Sequence, residues 1–191
     1  MSVKDLYSAE DFNILLTELG KELQYYSTLS KRFSFCIVGG GALTLAWGMR
    51  RMTTDLDVVF NKSHEEDARL VHNCAIRVAK RLGVSTSWCN DIVALSSSFT
   101  PAILVYCVPY RSFGCLDVYT IGLDFLFCMK FVSGRQKDSA DLHFLYHLMQ
   151  QSGVLVTKTL LNNLCKKYYL DFNIRIKLSK VSKQFWEGLP D

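Results

Sequence analysis

The sequence predicts an α/β (α+β) chain, a mixed sheet flanked by helices and followed by a part built of helices alone. Three observations lead there. Apolar runs of strand length occur from Phe33 to Val38 and from Leu56 to Phe60, the first ending in Gly39-Gly40-Gly41. Amphipathic runs with a 3.6-residue period lie on either side of them. From Leu123 onward the apolar runs have helical length and period. The 191 residues suffice for one domain with a full core, and 49% hydrophobic against 21% charged residues excludes a disordered chain.

The elements follow in order. Ser8, with Asp11 three residues on, is an N-cap for a helix carrying Phe12, Leu15, Leu16, Leu19 and Leu23 on one face. After the first strand and its glycines, Ala42 to Met49 contains strong helix formers. After the second strand, Ser63 and Glu66 form a capping box for a helix through Leu82. Its buried face is Leu70, Val71, Cys74, Val78 and Leu82, and Gly83 is its C′ residue. Short strand candidates come next: Val84 to Trp88, Ile92 to Leu95, Ile103 to Val108 and Cys115 to Ile121, with 109–114 as a hairpin loop. Helices are then expected from Leu123 to Ser133, from Asp138 to Gln151 after a break at Gly134, and from Thr157 to Tyr169. No linker composition separates the parts, so residues 1–191 read as one domain with a sheet half to about residue 121 and a helical half from about 122.

Several classes drop out. A net charge of +4 permits an anionic partner without requiring one. The 7 cysteines form no C-x-x-C pair and mostly sit in apolar runs, which argues against both a disulfide framework and a structural zinc site. Residues 1–10 have no basic-then-apolar leader pattern, and no apolar run approaches membrane-spanning length. The expectation is a soluble, cytoplasmic protein with no membrane partner.

The chemistry lies in Val38-Gly39-Gly40-Gly41-Ala42 and Arg51-Met52-Thr53-Thr54-Asp55-Leu56-Asp57-Val58. On a strand, positions i and i+2 share a face, so Asp55 and Asp57 project side by side. Two adjacent carboxylates repel each other, and a hard divalent ion with oxygen ligands relieves that repulsion. Glycines after a strand admit close approach of an anion to the backbone, and the helix behind them offers unpaired N–H groups. A triphosphate lying across the turn, its metal held by the aspartates, would have the positioning and charge neutralisation that phosphoryl chemistry needs. A dinucleotide fingerprint G-x-G-x-x-G is not met, because Thr44 stands in its last position.

This joint pattern resembles the nucleotidyltransferase superfamily (the DNA polymerase beta-like fold), whose members pair a Gly-Gly or Gly-Ser turn with an Asp-x-Asp. It is most similar to small bacterial AbiEii-like and related uncharacterised nucleotidyltransferases. Their R-x-T-x-D-[LI]-D block is matched by Arg51, Thr53, Asp55, Leu56 and Asp57. A second block, a lysine in an apolar helix followed by R-x-x-D-x-x-D-L, is matched by Lys130, Arg135, Asp138, Asp141 and Leu142. Trp88-Cys89-Asn90-Asp91 is similar to a Trp-x-Asn-Asp element in some relatives.

The resemblance implies an Mg²⁺-dependent (or Mn²⁺-dependent) enzyme that moves a nucleoside monophosphate from a nucleoside triphosphate to an acceptor, either an RNA such as tRNA or a protein. It also implies a toxin–antitoxin or phage-defence setting with a cognate antitoxin-like partner. Residue by residue, Asp55 and Asp57 would hold the metal, and Gly39, Gly40 and Gly41 would contact the phosphates with Arg51 and Thr53 beside them. Lys130 would reach the triphosphate, and Arg135, Asp138 and Asp141 would complete the pocket wall. The third carboxylate usual in the superfamily is assigned to Asp117, an acid in the middle of an apolar strand.

Other readings of these residues stand open at this stage. Lys130 can snorkel to water, Asp138 can cap a helix, and Asp117 can lie on the exposed face of a hairpin. His143 and His147 have metal-binding spacing without a third ligand. Lys166 to Trp186 interleaves basic and aromatic residues, as an RNA surface or as a helix with a buried aromatic face. The glycine turn lacks the phosphate-binding Ser of many superfamily members, which keeps a non-catalytic nucleotide- or protein-binding module as the alternative.

Overall fold

The computed structural model describes residues 6–27, 31–49, 52–60, 65–95, 99–100, 102–169 and 178–191. The chain forms two compact units, one of residues 1–94 and 107–121 and the other of residues 95–106 and 122–191.

The first unit holds a five-stranded mixed sheet in the order β3 (Cys89–Asn90), β2 (Leu56–Val59), β1 (Phe33–Val38), β5 (Leu116–Ile121), β4 (Cys107–Phe113). Helix α1 (Ala9–Gln24) starts on a complete capping box, with the Ser8 side chain accepting from Asp11 N–H and the Asp11 side chain accepting from Ser8 N–H, and it buries all five expected apolar residues. At Gly20 a Cβ would come within 2.1 Å of the Phe113 carbonyl oxygen, so glycine alone allows α1 to lie this close to the sheet. Strand β1 (Phe33–Val38) is central. It pairs antiparallel with β2 (Leu56–Val59) and parallel with β5 (Leu116–Ile121), so both neighbours add to a core of Phe33, Phe35, Ile37, Leu56, Val58 and Val118. Helix α2 spans Gly39–Leu45 and not Ala42 to Met49, because a positive φ at Gly39 turns the chain into the helix immediately after β1.

Helix α3 (Glu65–Leu82) buries Val71, Cys74, Ala75, Val78 and Ala79. Leu82, expected inside, is exposed, and Leu70 is half-buried, because the buried stripe is centred on the two alanines. The expected cap at Ser63 lies outside the described residues.

The stretch after Gly83 departs most from expectation. Residues 85–88 form a turn rather than a strand, closed by Trp88 N–H to the Ser85 carbonyl, and only Cys89–Asn90 (β3) pairs with β2. Ile92–Leu95 is a 3₁₀ turn, and Ala102–Val105 is a single helical turn, α4. Strand β4 runs over Cys107–Phe113, so the expected loop is mostly strand. Pro109 is tolerated there because β4 is an edge strand and its register with β5 shifts between Pro109 and Arg111. The hairpin turn is only Gly114-Cys115, with φ +62° at Gly114.

The second unit contains α4, α5 (Leu123–Ser133), α6 (Asp138–Gln151), α7 (Lys158–Tyr168) and α8 (Lys180–Glu187). Gly134, at φ +52°, ends α5, and Thr157 and Ser179 cap α7 and α8 through their side chains. Phe127, Phe131 and Phe185 meet edge-on inside this unit with Trp186 against Phe131, so the aromatic face of the last helix packs inward. Among the described residues no helix is long and apolar enough to cross a membrane.

Candidate functional site

Strand β2 and the residue before it carry the site. Leu56 and Val58 are buried while Asp55 and Asp57 are half-buried, the alternation expected of a strand with one face in the core. Both carboxylates therefore leave the same face.

Asp57 stands opposite Val38, the last residue of β1. Val38 is extended at φ −130°, and Gly39 switches to φ +62°. A Cβ on Gly39 would lie 2.8 Å from Asp57 Oδ2, so the glycine turn rests directly against the carboxylate. Gly41 serves packing, since a Cβ there would meet the Leu56 side chain at 2.5 Å. The Gly40 carbonyl accepts from Thr44 Oγ1 at 3.1 Å. Val38 gives α2 no side-chain cap, and the first N–H groups of a helix have no intrahelical acceptors.

Asp55 is held from both sides. Thr54 Oγ1 donates to Oδ1 at 3.0 Å, and Asn90 Nδ2 donates to Oδ2 at 3.0 Å. Asn90 lies opposite Asp57 on β3. That short strand is anchored by buried Trp88, whose indole N–H donates to the Ala75 carbonyl and whose carbonyl accepts from Leu56 N–H. Sequence reasoning gave neither Thr54 nor Asn90 a role; the Trp-x-Asn-Asp element was the only signal for the latter. Thr53 is tied by its backbone to Tyr7, and Arg51 lies outside the described residues.

The donors at the pair are all oxygens, and among the described residues no three His, Cys, Asp or Glu side chains converge as a metal cage. Two carboxylates on one strand face fit an Mg²⁺ or Mn²⁺ ion that keeps waters and completes its shell with phosphate oxygens. They do not fit a closed structural metal site.

Asp117 and Lys130 are both engaged in ion pairs. Asp117 lies on the same sheet but opposite Ser34, four residues along β1 from Val38, or about 13 Å at strand rise. Its carboxylate forms a bidentate pair with Arg32 at 2.6 Å and accepts from Ser112 Oγ at 2.6 Å. The Arg32 hydrogen bonds lower the pKa of this carboxyl from its ordinary value, against the opposing effect of partial burial and with help from Ser112. It forms an ion pair with Arg32 at the other end of β1 from the glycine turn.

Lys130 is engaged within the second unit. Its side chain is 5% exposed, and Nζ lies 3.0 Å from Asp138 and 2.7 Å from Asp141, both fully buried. Arg135 adds Nε and Nη2 contacts to Asp138 at 2.8 and 3.1 Å. Burial alone would raise the Asp138 carboxyl, but the hydrogen bonds from Arg135 and the Lys130 charge outweigh it and hold the group ionised. The K…R-x-x-D-x-x-D block is thus a buried ion cluster joining α5 to α6.

With this geometry in place, one comparison is informative. A family model described as "Nucleotidyltransferase of unknown function (DUF6036)" matches residues 15–177. The chain belongs to this family. The likeness to AbiEii-like proteins stays a resemblance of motifs. No curated protein and no solved structure matches the chain.

Proposed function

We propose that this protein is a divalent-metal-dependent nucleotidyltransferase that moves a nucleoside monophosphate from a nucleoside triphosphate to an RNA or protein acceptor. The observation that carries the reading is the contact of Gly39 with Asp57 beside the fixed Asp55, in a chain of a nucleotidyltransferase family. Asp55 and Asp57 hold Mg²⁺ or Mn²⁺, which neutralises charge on the triphosphate oxygens when bound. Gly39 and Gly40 let those oxygens approach the backbone at the opening of α2. Thr54 and Asn90 each donate to one Asp55 oxygen and leave the other lone pairs of that carboxylate for the ion. A toxin–antitoxin or phage-defence setting rests on the motif resemblance alone.

A second reading is a non-catalytic module with the same fold. It is favoured by one observation: among the described residues no third carboxylate joins the pair, and Asp117 is engaged elsewhere. The two readings separate on incubation with each α-labelled triphosphate, Mg²⁺, total cellular RNA and protein. The enzyme deposits label on one acceptor class, and Asp55→Asn and Asp57→Asn abolish it. Absence of label with every triphosphate, alongside metal-dependent nucleotide binding, selects the module.

A further inference from the structure

We propose that Asn90 is the positioning residue of the aspartate pair, its side-chain amide holding the Asp55 carboxylate in the orientation in which Asp55 and Asp57 share a divalent cation. The inference rests on the metal reading above and adds to it a residue outside the Asp-x-Asp strand.

The amide is itself immobile. Asn90 is 5% exposed, and a buried carboxamide is expected to have its hydrogen bonds satisfied. Ile92 N–H donates to Oδ1 at 3.1 Å, while Nδ2 donates to the Ser87 carbonyl at 3.3 Å and to Asp55 Oδ2 at 3.0 Å. A backbone N–H needs the amide oxygen and a backbone carbonyl needs the amide nitrogen, so only one orientation of the group satisfies both. That orientation aims an N–H at Asp55. The backbone turn from Ser87 to Ile92 thus fixes the amide, and the amide fixes the carboxylate.

The contact with Asp55 is not required by burial. Asp55 is half-buried and within reach of water, and one Nδ2 hydrogen is already used by Ser87. Spending the second on Asp55 instead sets the carboxylate plane. Thr54 Oγ1 engages the opposite oxygen, so the carboxylate is gripped at both ends with lone pairs on each oxygen remaining. Partners that orient a metal-binding carboxylate in this way affect metal affinity by about 10–100-fold.

The test is an Mn²⁺ titration of the full chain, followed by water-proton relaxation, at a temperature where circular dichroism shows each variant folded. Expected results are one Mn²⁺ site in the native protein, loss of it in Asp55→Asn, and affinity weakened about 10–100-fold in Asn90→Ala and Asn90→Ser. The serine can accept from Ile92 N–H but is too short to reach Asp55. Gly83→Ala is the control: at φ +68° with nothing within 4 Å of the new Cβ, it lowers the melting temperature through the backbone alone and keeps native Mn²⁺ affinity. Native affinity in the Asn90 variants, equal weakening in Gly83→Ala, or failure of both Asn90 variants to fold overturns the positioning role. Equal Mn²⁺ binding by native protein and Asp55→Asn, or none by the native protein, instead overturns the two-aspartate metal reading itself.

Discussion

Gly39→Ala tests whether the glycine turn and Asp57 form one unit. Two costs add at this position. The first is backbone: at φ +62° an L side chain meets the left-handed penalty of about 1–2 kcal/mol. The second is steric: the new Cβ would stand 2.8 Å from Asp57 Oδ2, so the carboxylate must move. Overpacking of this kind costs about 1–3 kcal/mol when the neighbour is constrained. Gly83→Ala isolates the first term, because its φ is +68° and a Cβ there meets nothing within 4 Å. At about 2–4 °C per kcal/mol for a chain of this size, Gly39→Ala melts several degrees below Gly83→Ala. A double-mutant cycle finishes the test: in an Asp57→Ala background the carboxylate oxygens are gone, and the excess cost of Gly39→Ala should fall to that of Gly83→Ala. Mn²⁺ affinity should drop in Gly39→Ala and stay native in Gly83→Ala. Equal melting of the two glycine variants, or an excess that survives removal of Asp57, would refute the coupling of turn and carboxylate.

Two further outcomes are expected. Lys130→Met removes the cation 2.7 Å from buried Asp141 and 3.0 Å from Asp138, and breaking such a buried pair costs about 3–5 kcal/mol in a denaturant titration. Arg135 still holds Asp138, so Lys130→Met/Asp141→Asn should recover most of that loss; no recovery would show that the cluster is not organised around this ion pair. Asp117→Asn should lower the melting temperature at pH 7. The folded-state pKa of Asp117 is shifted down by Arg32, so its contribution is complete above the ordinary aspartate value of about 4 and disappears as pH falls through the lower folded value. Melting curves of native and variant protein should therefore converge in strong acid, and a constant gap across pH would exclude the ion pair as the cause.

What the sequence made legible follows the range of the forces involved. The cap and buried face of α1, the limits of β1, and the ends of α5 and α6 are set by neighbours within a few residues, and they were readable. The pairing of Asp55 with Asp57 is also local, a consequence of strand period. From Val84 to Phe113 the apolar residues have no clear period, and the outcome depends on where Trp88 finds space beside Ala75 and on Pro109 falling at a sheet edge. The ion pairs were not legible for the same reason. Arg32 lies 85 positions from Asp117, and nothing near either residue announces the pair. Lys130 and its aspartates are close in sequence, but only the packing of α5 on α6 turns their charges toward each other.

The path of the chain also bears on how the protein can be cut. Residues 95–106 belong to the second unit although β4 and β5 of the first follow them. Within that segment Thr100 Oγ1 donates to the Tyr168 carbonyl, and the Tyr106 ring meets Phe125 and Tyr168 edge-on. A fragment ending at Ile121 would keep all five strands and both aspartates, yet leave Thr100 without the Tyr168 carbonyl and Tyr106 without the Phe125 and Tyr168 rings. The reciprocal fragment, from Gly122 onward, would lack the strip that Tyr168 and Phe125 pack against. No single cleavage point yields both units intact, so dissecting this protein calls for replacing residues 95–106 with a short polar bridge rather than for truncation.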